Sequence, residues 1–257
     1  MTNKTLIFIS VLLICLVLQK IFAWRVNRRG GAEYWKTFFS HLLLVGIGNV
    51  FIRVVQFLGV GTSLFLIESN GPLNINLVGS QSPWIASILS LLLLDFVIYW
   101  QHRLAHKLPI LWRFHKVHHA DQQMEASSGI RFHPIEIFFS FYYKLGICWL
   151  FSVTLENYIL FELILMSSAL FNHSNLDLPG WLEKPLALVI VTPRVHFVHH
   201  SIESENMHRN FGFFMSLWDR IFGSFKKLPE EELLSMPLGI KESNPIGLLE
   251  LLKEPFR

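Results

Sequence analysis

Apolar residues in this chain come in long blocks separated by short charged segments. The blocks cover residues 5–24, 38–67, 82–100, 135–152 and 155–171. Past residue 172 apolar and polar positions mix as in amphipathic helices, with no block long enough to span. A helix of about 20 apolar residues crosses the hydrocarbon core of a bilayer. The pattern therefore predicts an all-α, multi-span membrane helical bundle, with residues 1–81 supplying N-terminal spans and 82–257 the remaining spans and a helical cap.

Local punctuation sharpens the blocks. Ser82-Pro83 is an N-cap followed by proline at the first helical position, and Pro109 closes the same helix after Leu108. At 1.5 Å per residue that helix is about 39 Å long, against about 30 Å of hydrocarbon, so a turn or two stands out of the membrane. The link "SVTLEN" suits a tight helical hairpin. Block 38–67 contains Arg53, Gln56 and several glycines and reads as one tilted helix or a broken one. Block 5–24 is long, follows only Lys4 and has no small-x-small cleavage site after it, so it is expected to be a retained span rather than a signal peptide.

Charge orients the bundle. Arg25, Arg28, Arg29 and Lys36 follow the first block, the segment 68–83 has no Lys or Arg, and residues 102–134 and the region after 172 are rich in both. The positive-inside rule then predicts an outside N-terminus, five crossings and a cytoplasmic C-terminus. The composition agrees: 52% of residues are hydrophobic and 16% charged, where soluble domains carry about 25% charged residues. A formal charge of +3 with no basic tract gives no nucleic-acid footprint. Cys15 and Cys148 lie inside apolar blocks and read as small hydrophobes.

Histidine is where the chemistry collects. His102 and His106 are spaced i, i+4; His115, His118 and His119 are spaced i, i+3, i+4; and His196, His199 and His200, after Thr192-Pro193, repeat the second spacing. Each set shares a helix face. With His173 in "FNHSN" they make nine imidazoles, all predicted on the cytoplasmic side. Nine exceed one metal's needs, so two metals with shared or open positions fit the count. Nitrogen ligands without thiolate suit iron, copper, nickel or zinc. Bound histidines need acceptors behind them, and Asp95, on the same helix face as His102, is expected to reach back to it. Asp121, Glu125, Glu136 and Asp177 are further candidates. His41 and His208 lie apart and read as ordinary hydrogen-bonded residues.

These residues resemble the fatty acid hydroxylase superfamily, the integral-membrane histidine-rich oxygenases that include sterol desaturases, fatty acid 2-hydroxylases and alkylglycerol monooxygenases. The resemblance runs from about residue 90 to 226 through "DFVIYWQHRLAH", "LWRFHKVHHA", "RFHPIE", "FNHSN", "TPRVHFVHHS" and "NFGFFMSLWDRIFGSF". It implies that residues 82–257 are the catalytic domain and that the cap holds a di-iron centre ligated by His102, His106, His115, His118, His119, His173, His196, His199 and His200. Zinc can substitute in purified protein. It also implies O2-dependent hydroxylation or desaturation of a lipid C–H bond. No fused cytochrome b5 is seen, so the expected partner is an external donor, a cytochrome b5- or ferredoxin-type reductase system. Fatty acid 2-hydroxylases carry further histidines near the position of His173, where this chain offers one. His133, in "RFHPIE", is expected to hydrogen-bond Glu136 rather than serve as a spare ligand. Trp218, Asp219 and Arg220 are expected to clamp the cap by packing and an ion pair, and Phe138, Phe139, Phe141, Tyr142 and Tyr143 to pack or face lipid, with pocket lining as the other reading. Two rivals remain: a histidine-rich metal transporter without oxygenase activity, whose site would lie at mid-bilayer, and a b-type haem protein, which would need only two axial histidines, within the spans.

Overall fold

The structure, a computed structural model, describes residues 3–57, 71–74, 82–241 and 243–257. Those residues are helical, with only isolated bridges such as Ala23 with Leu176. Five helices account for the apolar blocks: α1 (Asn3–Ile21), α2 (Gly31–Val55), α3 (Pro83–Lys107), α5 (Pro134–Phe151) and α6 (Leu155–His173). Between them α4 (Pro109–His119) and a 3-10 turn (Ala126–Ile130) build the cap. The cap is completed by α7 (Gly180–Val189), α8 (Pro193–His199), α9 (Ser204–Met207), α10 (Leu217–Ile221), α11 (Glu230–Ser235) and α12 (Leu248–Lys253). Both α2 and α3 are long and apolar enough to cross a membrane.

Proline sets the helix starts. Pro83, Pro109, Pro134 and Pro193 all sit in a first turn, where the missing N–H costs nothing. Leu108 is extended and serves as C-cap of α3 and N-cap of α4, so the chain folds back between the histidine pair of α3 and the histidine trio of α4. Neither Ser82 nor Thr192 caps with its side chain; the Thr192 hydroxyl donates to Glu183 instead. The expected hairpin is present: Ser152 ends α5 in the left-handed region, and the Thr154 hydroxyl accepts from Asn157 N–H to start α6.

A core of Leu94, Ile98, Leu145, Cys148 and Phe161 packs α3, α5 and α6 together. Leu12 and Cys15 of α1 pack against Ile130 and Leu170. The described part of the segment 1–81 thus shares its packing with the rest of the chain. Apolar side chains also coat the outside, with Leu13, Val17, Trp84 and Ile88 all more than half exposed. Leu73 N–H bonds Leu150 O, which places residues 71–74 beside the α5–α6 turn, at the end away from the cap.

Block 38–67 behaves less simply than a span. Its helix starts at Gly31, and Thr37, Ser40 and His41 are buried on it. The His41 Nδ1 and Ser127 Oγ lie 3.0 Å apart, so the start of α2 belongs to the cap, and His41 is the ordinary buried residue expected. Whether the block holds one span or two lies outside the described residues, as does most of the segment 68–83.

Candidate metal centre

All nine predicted histidines converge at the cap end of the bundle, in two sets. One comprises His102, His106, His115, His119 and His199; the other comprises His118, His173, His196 and His200. Within each set the potential ligand atoms lie within 4.8 Å of one another. The sets are neighbours: the His119 and His200 rings stack with centroids 4.3 Å apart. Adjacent residues divide between them, His118 from His119 and His199 from His200, because successive helix positions diverge by about 100°.

The four-histidine set is closed. Its members are 0% exposed. The Nε2 atoms of His118 and His173 are 3.0 Å apart, those of His173 and His196 3.1 Å, and those of His196 and His200 3.2 Å. Four nitrogens bound tetrahedrally at about 2.0–2.1 Å would stand about 3.3 Å from one another. The five-histidine set has a matching pair, His102 and His199, with Nε2 atoms 2.9 Å apart.

Acceptors behind the rings fix which nitrogen faces inward. His102 Nδ1 donates to Phe211 O and His199 Nδ1 to Arg209 O, each at 2.7 Å, and His173 Nδ1 donates to Ala169 O at 2.7 Å. His115 Nδ1 donates to Glu136 Oε1 at 2.6 Å. A carbonyl only accepts, so each of these rings keeps its Nε2 lone pair for the centre. Other nitrogens have no protein partner among the described residues: both on His106 and His119, Nε2 of His115, and Nδ1 of His118, His196 and His200. Orphaned buried nitrogens are costly in a dry interior. A cation bound among them would satisfy those that face the centre.

Burial, then the neighbouring imidazoles, pushes His118, His119, His196 and His200 well below the ordinary histidine value. They are neutral near pH 7, the form that ligates metal. The donor set, its spacing and its protonation fit a pair of transition-metal ions.

The loop before α10 holds two of these acceptors. Asn210 is left-handed at φ 52, a conformation asparagine tolerates. Its amide donates to Val195 O and Lys226 O, and its carbonyl accepts from Lys226 N–H. That turn lets Arg209 O and Phe211 O each reach a histidine. Asp219 accepts from Phe211 N–H and Gly212 N–H, both at 2.8 Å. A Cβ on Gly212 would stand 2.5 Å from Met215 O, so only glycine fits there.

Several expected partners differ. Asp95 does not reach His102; its carboxylate accepts from Trp218 Nε1–H and Met215 N–H. It ties α3 to the closing motif, which supports His102 through Phe211. His133 does not bond Glu136; its Nδ1 accepts from Ile135 N–H as the N-cap of α5, and Glu136 serves His115. Asp121 pairs with Arg29 and Arg131; burial works against its charge, and the two guanidinium groups outweigh that and hold the carboxyl well below its usual range. Glu125 takes the Ser127 hydroxyl and Asp177 pairs with Arg194. In place of the expected ion pair, Asp219 holds backbone while Arg220 donates to Ala187 O and covers the Phe225 ring. His208 is exposed and bonds Ser204 O, though its ring lies 5.6 Å from that of His106.

Residues 87–224, more than half of the chain, match the family model described as fatty acid hydroxylase. The chain belongs to the fatty acid hydroxylase family. Among known proteins it is 31% identical over 169 residues to the ornithine lipid hydroxylase OlsE of Rhizobium tropici, covering 66% of this chain and 50% of that one. It is 28% identical to the alkylglycerol monooxygenase of Homo sapiens, covering 99% and 53%, and 30% identical to that of Xenopus tropicalis, covering 79% and 43%. The chain therefore spans about half the length of the curated relatives it matches. No solved structure matches it. The family match contains all nine histidines.

Proposed function

We propose that this fatty acid hydroxylase family member is a membrane-embedded, di-iron, O2-dependent oxidoreductase that hydroxylates or desaturates a C–H bond of a lipid. The observation that carries the reading is the pair of buried histidine sets, one of which opens on a cavity. That cavity, of about 560 Å³, is lined by His102, His115 and Glu136. The relatives' names, ornithine lipid hydroxylase and alkylglycerol monooxygenase, support a lipid substrate.

Iron held by the nine histidines would supply the O2 activation that side-chain acid–base chemistry lacks. The chain's own residues do the rest. Glu136 and the carbonyls of Ala169, Arg209 and Phe211 orient rings; Asp219 fixes the loop that carries two of those carbonyls. Phe132 stacks on His118 with centroids 4.3 Å apart and covers that set from the cavity side. The apolar wall excludes water from the reacting bond. The transporter reading is disfavoured because the histidines cluster at the cap rather than midway along the helices.

Our reading of the topology is five crossings, with the cap and C-terminus cytoplasmic; the Lys and Arg distribution supports it. Residues 82–257 are the catalytic part, and electrons come from an external donor protein. The test is metal content per chain by elemental mass spectrometry, on protein purified in mild detergent beside a His118→Ala, His199→Ala double variant. Two irons in the parent, lost in the variant, together with O2-dependent lipid oxidation, support the reading. Two zincs lost in the same way keep the dimetal site and leave its native metal to reconstitution. Metal unaffected by the substitutions overturns it.

A further inference from the structure

A second pocket, of about 790 Å³, lies between the segment that follows α1 and the end of α11. It shares no lining residue with the cavity that reaches His102 and His115. Its bases are Arg25, Arg28 and Lys241, and no carboxylate lines it among the described residues. Neighbouring arginines are neutralised, Arg29 by Asp121 and Arg194 by Asp177 and Glu230. The three pocket bases have no such ion pair among the described residues.

Arg25 is held firmly. Its backbone N–H donates to Asn175 Oδ1 at 2.8 Å, and its carbonyl accepts from Asn175 Nδ2 at 2.6 Å. Its Nη2 donates to Met236 O at 2.6 Å, and the guanidinium lies over the Phe197 ring, 5.8 Å from the centroid. That leaves Nη1 buried with no protein partner. Trp24 Nε1, on a buried side chain that also lines the pocket, is in the same state. Buried donors without acceptors are costly, and a desolvated cation without a counter-charge costs more. Burial, then the Arg28 charge, lowers the Arg25 pKa, so the nearest strong field on this cation is repulsive. A bound anion would relieve both costs, and the guanidinium fork matches the oxygens of a phosphate. The rim says where that phosphate comes from. Val26 and Leu234 line the pocket yet are exposed, and Phe22, Ile21 and Val17 continue an exposed apolar strip along α1.

We propose that this pocket binds the phosphate of an anionic membrane phospholipid. Arg25 and Trp24 donate to its oxygens, Arg28 and Lys241 add charge at the rim, and the acyl chains pass Val26 onto the exposed strip of α1. The ligand is then a resident lipid that ties the segment after α1 to α11, apart from whatever reacts at the histidine sets. The site rests on the membrane reading of α1 and not on the identity or presence of the metals.

The test measures binding of three probes to the full chain in detergent by native mass spectrometry: dioctanoyl phosphatidate, dioctanoyl phosphatidylcholine and glycerol 3-phosphate. The first two differ by the choline, for which the pocket offers no described carboxylate; the first and third differ by the acyl chains. The parent should prefer phosphatidate to phosphatidylcholine by on the order of tenfold. Arg25→Gln should weaken phosphatidate most. The Arg28→Gln, Lys241→Gln double variant should weaken it by about fivefold for each base removed. Those two side chains are exposed, so that variant keeps the test open if Arg25→Gln misfolds. Lys184→Gln removes an exposed base outside the pocket and should change nothing, and metal per chain should stay constant throughout. Equal binding of the two lipids by the parent overturns the proposal, and so does a preference that the double variant keeps or that Lys184→Gln weakens as much. If glycerol 3-phosphate binds as tightly as phosphatidate and the same variants weaken it, the phosphate site stands and its membrane source is overturned.

Discussion

The two histidine sets share residue type, burial and neighbourhood, yet their surroundings differ. The five-histidine set touches the cavity through His102 and His115 and includes the one ring braced by a carboxylate, His115 on Glu136. The four-histidine set contributes no ring to the cavity lining, and its one brace is the Ala169 carbonyl of its own helix α6. One set adds a carboxylate brace to its backbone braces and faces the cavity; the other is sealed and braced by backbone. Residues of one type thus differ in what stands behind them, which is what tunes a histidine as a ligand.

The largest effect should come from emptying one set at a time. His106→Ala with His119→Ala should remove one metal per chain and abolish turnover. His118→Ala with His196→Ala should remove the other. Elemental mass spectrometry counts the metals, and a spectroscopic probe of the remaining ion tells the two apart. If either double variant loses both metals, the sets fill as a unit and the distinction between them fails.

Glu136→Gln addresses the carboxylate alone. The amide still accepts from His115 Nδ1–H but carries no charge. Losses of such partners cost about 10–100-fold in metal affinity or activity, and here the loss should fall on the five-histidine metal only. Competition with a chelator, followed metal by metal, reads this. Equal weakening of both metals would contradict a set-specific brace.

A backbone counterpart exists for the sealed set. A Cβ at Gly129 would stand 2.3 Å from Ala169 O and 3.0 Å from Leu170 N. Gly129→Ala must therefore push on the turn of α6 whose carbonyl braces His173. The expected cost is about 1–3 kcal/mol of stability, typical of overpacking, with weaker retention of the four-histidine metal. Thermal unfolding and the same chelator assay check it. An unchanged four-histidine metal would mean that α6 shifts without moving His173.

Much of this arrangement was legible in the residues. Proline and histidine spacing located α3, α4 and α8, because those signals act over one helical turn. The apolar blocks located five helices for the same reason. The division of His118 from His119, and of His199 from His200, was not legible, since it depends on how helices far apart in sequence face each other. Nor were the braces at Ala169, Arg209 and Phe211: every residue has a carbonyl, and nothing local marks one that will meet an imidazole. Asp95 was expected to brace His102, but its partner, Trp218, lies 123 residues away along the chain. Asn210 and Gly212 in "NFG" were the available clue, since asparagine and glycine are residue types that turns favour.

The smallest expected effect on the metals concerns the support of the sealed set through pH. Glu125 caps the 3-10 turn that carries Gly129. Burial raises its carboxyl to about 7; the Ser127 hydroxyl opposes that, Asp121 adds to it, and Arg29 and Tyr34 oppose it again. In the unfolded chain a glutamate titrates near 4.3. The folded protein therefore holds this proton more tightly than the unfolded one. Its contribution is complete below about pH 4.3 and is lost as pH rises through about 7, on the order of 3–4 kcal/mol in all. The buried imidazoles of His118, His119, His173, His196 and His200 act in the opposite sense. Their values are depressed below the unfolded value near 6.5, so their contribution is complete above about pH 6.5 and is lost as pH falls. A stability profile of the parent alone mixes the two. The difference between parent and Glu125→Gln isolates the carboxyl, because the histidine terms cancel. That difference should favour the parent at pH 5 and shrink or reverse by pH 8, measured by thermal unfolding of metal-free protein. A difference independent of pH would mean that Glu125 folds as a charged carboxylate, and that the turn bracing the four-histidine set is held by charge after all.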